Sequence, residues 1–178
     1  MLQVFGFDRI GVLMSDLYFV DPSPGPGQEG AERGVRLEVR MLEQGRLTGS
    51  IYSARPIKVG QPIWRADLLE TADGPPGSLN RAHHHPGLRN WEPGSRVFDP
   101  ELSASPVQWV AGMLSDLDRL LELSGIEPDA ALRADAESLR AWVPQISRAL
   151  AELLEKVRAG ELAAAPAGEL VSARVSWL

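Results

Sequence analysis

The sequence contains no cysteine. That excludes disulfides, thiolate nucleophiles and Cys-type zinc sites, and it fits a reducing compartment. Long uncharged apolar runs are missing too, so nothing in it reads as a bilayer span. The apolar opening, "MLQVFGFDRIGVLMSDLYFV", is interrupted by Asp8, Arg9 and Asp16 and carries no basic leader region. It reads as core, and the protein as cytoplasmic with no membrane partner. There is no P-loop, no G-x-G-x-x-G after a strand and no G-x-S-x-G. "PSPGPGQEG" has the glycines of a phosphate loop, but each proline lacks the N–H such a loop uses, so a flexible crossing is expected. A basic excess is absent as well: the net charge of −6 argues against a general nucleic-acid coat protein.

What is present suits one α+β domain. The 178 residues suffice for a single sizeable core, and 24% charged residues against 44% hydrophobic exclude wholesale disorder. The charge is uneven. Residues 33–96 hold ten basic and six acidic side chains, a local net of +4 in an acidic chain. Such asymmetry marks either an anion-binding face or a solvated sheet surface beside acidic helices.

The first hundred residues read as strands. "RIGVLMSDLYFVD" is rich in β-branched and aromatic residues. In "GVRLEVRMLEQG", Val35, Leu37, Val39 and Met41 alternate with Arg36, Glu38 and Arg40, the period of a half-buried strand. "RLTGSIYSARPIKVG" reads as the next strand, "GQP" as a turn, and "IWRADLLET" as a fourth strand. That strand puts Trp64, Ala66 and Leu68 on one face, and Arg65 and Asp67 on the other. Short connections favour an antiparallel meander of about four to six strands.

The second half reads as a helical hairpin over residues 101–160. "SPVQ" has the form of a capping box at Ser105, opening a helix over 106–124. Asp129 opens a longer helix to Gly160. Its apolar positions, Ala136, Leu139, Val143, Ile146, Leu150, Leu153 and Val157, are spaced 3 and 4 alternately. Pro144 should bend it. A seam of this length packs either inside the chain or, through residues 129–158, against a partner helix or a second copy. The tail, "ELVSARVSWL", alternates like a return strand over residues 168–178. Trp64, Trp109 and Trp142 fit core or near-core positions; Trp91, in a polar loop, suits an anchor or a stacking platform.

All three histidines are adjacent, in "NRAHHHPGLRN". In an extended segment His83 and His85 share a face and His84 points away; Pro86 favours that extension. Imidazole is both a common metal ligand and the usual general base near neutral pH. Two histidines at this spacing can share one divalent metal with a third ligand. Asp67, Glu70 and Glu92 are the carboxylates to consider, and Asp67 is the best placed. A metal-free site is the other chemistry: His83 or His85 as base, Asp67 beside them, and Arg65, Arg81 or Arg89 holding a phosphate.

The order strand, "IWRADLLE", loop, "RAHHHP", short strand, "SPVQWVAGMLSDLDRLLE" helix resembles the TumE-type toxin families of bacterial toxin–antitoxin modules over about residues 35–124. Those families pair an Asp-containing strand with an H-x-H segment and a following helix. The resemblance maps Asp67, His83 and His85 onto that pattern and implies action on RNA. This chain departs from it in a Pro-rich insertion before the histidines and in the helix and tail after residue 125.

Three functions follow. The first is a non-catalytic interaction or oligomerising domain working through the long helix. The second is a nuclease-like or toxin-like enzyme acting on RNA at the local basic face. The third is a metal- or anion-binding module at the histidines. No cofactor other than a divalent metal is implied.

Overall fold

The computed structural model describes residues 1–46, 49, 56–88 and 91–166. Residues 168–178, read above as a return strand, lie outside the described residues, as does Arg89. The fold is α+β. Five antiparallel strands form a meander in sequence order: β1 (Leu2–Gly6), β2 (Ile10–Val20), β3 (Ala31–Gln44), β4 (Ile57–Thr71) and β5 (His83–His85). A single bridge, His84 to Val97, extends the sheet beyond β5.

One strand boundary differs from the sequence reading. "GQP" is not a turn: β4 runs through it. Arg40 faces Pro62, and the register of β3 against β4 shifts on both sides of that pair. Proline has no N–H to give to the ladder, so a bulge accommodates it. Arg40 closes the gap by donating from Nε to the Gly60 carbonyl at 3.0 Å. Of the strand read over 46–60, residues 47, 48 and 50–55 lie outside the described residues.

The helices cover one face of the sheet. They are α1 (Pro100–Ala104), α2 (Pro106–Leu114), α3 (Leu117–Leu123) and α4 (Ala130–Arg158). The first limb of the hairpin is therefore three short pieces, not one helix over 106–124. Ser105 makes no capping bond with its side chain. Asp99 caps instead, accepting from the Glu101 N–H, and its other oxygen accepts from the Trp109 indole at 2.9 Å. At the second break Ser115 bonds back to the Ala111 carbonyl, and Asp116 starts α3 by accepting from the Arg119 N–H. Competition of Ser and Asp side chains for backbone groups explains the second break; at the first, Pro106 has no N–H to continue the ladder of α1.

The long helix behaves as its spacing indicates. Asp129 caps it, accepting from the Leu132 N–H at 2.9 Å. It runs unbroken past Pro144, whose position is exposed. All seven seam residues are buried and pack with Val12, Met14, Val35, Leu37, Val39, Ala66 and Leu68 of the sheet and with α2 and α3. The seam is thus filled from within the chain. Trp142 departs from its near-core reading: it is 48% exposed and rests against Phe5 at 6.3 Å between ring centres.

Asp135 holds the two halves together. This buried carboxylate accepts from the backbone N–H groups of Asp8 (3.1 Å), Arg9 (2.7 Å) and Ile10 (3.0 Å) at the β1–β2 turn. No helix among the described residues is long and apolar enough to cross a membrane.

Candidate functional site

Strand register builds the site on the sheet face away from the helices. Two rows run across β3, β4 and β5: Arg36–Asp67–His83 and Glu38–Arg65–His85. Between them runs Leu37–Ala66–His84, pointing to the opposite face. Alternation along β5 thus separates the histidines. His84 joins the core, its ring 4.9 Å from that of Trp109 and 6.4 Å from that of Trp64. Burial lowers its pKa, and its Nδ1 has no hydrogen-bond partner among the described residues.

His83, His85 and Asp67 converge. Each is buried, with no more than 2% of its surface exposed. One ligand atom from each lies within 4.8 Å of the others. His83 Nε2 is 3.4 Å and His85 Nε2 is 3.5 Å from the same carboxylate oxygen, Oδ2 of Asp67. The two imidazoles meet edge to face at 5.1 Å, and Phe98 packs on His83 at 5.4 Å.

The protons can be placed from the partners. His83 Nδ1 lies 2.8 Å from the Arg81 carbonyl, which only accepts, so Nδ1 carries the hydrogen. In the neutral ring Nε2 then offers a lone pair. His85 Nε2 lies 2.9 Å from Nη2 of Arg65, which only donates, so this Nε2 is also a lone pair. Burial dominates the lowered pKa of His85 and favours its neutral ring. Its Nδ1–H has no hydrogen-bond partner among the described residues.

Asp67 carries the charge. Burial works to raise its pKa, but the charge of Arg36 above all, with that of Arg65, outweighs it and holds the carboxyl well below the usual carboxylate range. Arg36 Nε donates to Oδ1 at 2.6 Å. Arg65 Nε lies 3.0 Å from Oδ2 but off the line of a hydrogen bond. Two guanidiniums against one carboxylate leave a surplus of one positive charge.

The other residues named from the sequence go elsewhere. Arg81 turns its guanidinium to the Pro/Gly loop, donating to the carbonyls of Gly27 and Glu29; only its own carbonyl serves the site, through His83. Glu70 pairs with Arg33 at 3.1 Å, and Glu92 is exposed. Trp91 is 48% exposed, with the Arg40 guanidinium 5.0 Å above its ring.

Arg36, Phe98 and Arg96 were not singled out as site residues from the sequence. Arg96 ties the Pro/Gly loop to the sheet through Gln28 (3.0 Å), Asp21 (3.2 Å) and the buried Glu32 (3.3 Å). Arg36 read as the solvent side of an alternating strand. Only the register, which sets it opposite Asp67, reveals its place.

No protein-family model, curated protein or solved structure matches the chain.

Proposed function

We propose that this is a metal-binding protein, and that Asp67, His83 and His85 hold one divalent transition-metal ion. The carrying observation is the spacing around Oδ2 of Asp67. Separations of 3.4 and 3.5 Å are long for hydrogen bonds between these groups. They match the edge of a tetrahedron, about 3.4 Å for metal–ligand bonds of about 2.1 Å. The His83 Nδ1–H, fixed by the Arg81 carbonyl, is the usual outer support of a metal-binding imidazole, and the Nε2 lone pair of His85 is held by Arg65, which an entering ion would displace. Two imidazoles and a carboxylate suit zinc, with copper, nickel and iron(II) as competitors. A buried cluster admits an ion far more readily than a polymer strand. The absence of cysteine fits residence in the cytoplasm.

The test is metal analysis of the purified full chain, followed by titration of the chelator-stripped protein with zinc. One ion per chain is expected. His83→Ala and His85→Ala should each lose it while keeping the wild-type circular dichroism spectrum. Absence of saturable zinc binding, or binding unchanged in both variants, sinks the reading.

A second reading is metal-free cleavage of RNA, with His83 or His85 as base and Arg65 on the phosphate. The surplus positive charge favours it, since that surplus attracts an anion. It predicts RNA cleavage that survives a chelator and disappears in His85→Ala. Wild-type protein inert on RNA removes it, and with it the implied toxin-like role.

A further inference from the structure

We propose that the metal ion takes a phosphate-class oxyanion as its fourth ligand, clamped by Arg65 and Arg36. This rests on the metal reading above and names what the bound ion would recognise.

Charge balance is the first argument. Asp67 supplies the one negative charge among the three ligands, and Arg36 and Arg65 already exceed it. A dication raises the net charge of the cluster from +1 to +3. The neighbouring acids bring cations of their own: Glu38, opposite Arg65 on β3, pairs with Arg40 at 2.8 Å, and Glu32 pairs with Arg96 at 3.3 Å, so neither pair adds net negative charge. Uncompensated charge in a buried cluster is costly, so loading with metal favours entry of an anion.

Geometry is the second argument. Three protein ligands leave one tetrahedral position open. Arg65 already sits beside that set, touching Oδ2 of Asp67 through Nε and Nε2 of His85 through Nη2. An ion entering between those lone pairs repels the guanidinium from them but leaves it next to the open position. Its Nε–H, without a well-aligned acceptor, is a spare donor. The side chains of Arg36 and Arg65 are 16% and 14% exposed, against 1% for Asp67, so the two arginines border solvent where the carboxylate does not. Guanidinium forks fit the oxygens of a phosphate.

The test uses the full chain, stripped and zinc-loaded, titrated with inorganic phosphate in a calorimeter. The loaded protein should bind phosphate at least tenfold tighter than the stripped one. Arg65→Lys keeps the charge and loses the fork. Measured on protein saturated with zinc, it should weaken phosphate by about tenfold to a hundredfold, the range for a lost charge-assisted bond. If Arg65→Lys does not fold, Arg36→Lys takes its place. In cobalt(II)-loaded protein, phosphate should change the visible absorption of the ion. Equal phosphate binding with and without zinc overturns the inference, as does a zinc-loaded protein that ignores phosphate. Failure of zinc to bind, read from the zinc titration alone, removes the reading beneath it and the inference with it.

Discussion

Arg36 grips Asp67 across the β3–β4 pair, Nε to Oδ1 at 2.6 Å, on the face of the sheet that the helices leave open. Removing the cation leaves a buried carboxylate with Arg65 as its remaining ion partner. Arg36→Met should therefore destabilise the fold by about 3 kcal/mol, the lower end for breaking a buried pair. Urea unfolding checks it. A loss under 1 kcal/mol means that Asp67 is better served by Arg65 than the geometry indicates.

Zinc should stabilise the protein because the unfolded chain cannot gather the three ligands. At a free ion concentration about a hundredfold above Kd the gain is about 2.7 kcal/mol. A thermal scan should show an upward shift of Tm in wild type and none in His85→Ala. Equal shifts in both proteins would place the ion elsewhere.

Stability should fall on acidification, and His84 contributes to that fall. Burial depresses its folded pKa below the ordinary 6.5. Its contribution is complete above 6.5 and is lost as pH drops through the folded value, because the unfolded chain takes the proton first. His85 and Asp67 are depressed too and act in the same direction. His84→Leu removes one share while filling the same space between Trp64 and Trp109. The difference in urea midpoint between pH 8 and pH 5.5 should shrink in the variant, with a change below about 1 kcal/mol at pH 8. An undiminished difference assigns the acid sensitivity wholly to the other face.

Asp135→Ala should cost about 3 kcal/mol, since it strips a charged acceptor from three buried or half-buried N–H groups at once. Asp135→Asn keeps the shape and one acceptor oxygen, and should cost less. Equal losses in the two variants would show that charge, not the number of bonds, is what the turn requires.

The periodic parts of the fold were legible in the sequence. Alternation along β3 and β4 identifies their faces, and the spacing of seven residues in α4 identifies its buried stripe. The separation of His84 from His83 and His85 follows from alternation alone, helped by Pro86. Pairings between distant residues were not legible. Arg36 and Asp67 meet because β3 and β4 align, and the shifts around Arg40 and Pro62 that precede the alignment leave no local signal beyond a proline. The break at Ser115–Asp116 was hidden because Leu114 and Leu117 keep the apolar spacing across it. Asp135 looked like an ordinary polar helix position, since its partners are backbone groups and carry no side-chain signature.

The bond from Ile10 to Asp135 closes a loop of 125 residues. A chain leaving the ribosome therefore makes its first hairpin long before the carboxylate that seals the turn exists. Until α4 emerges, β1 and β2 have an unsealed corner and the sheet has a bare apolar face. The sealed corner requires α4, so this part of the fold waits until that helix has been made, with the slow rates that such distant contacts impose. A fragment ending before residue 129 should accordingly expose that face and aggregate, while Asp67, His83 and His85, all encoded earlier, wait on a helix that packs on the other face of the sheet.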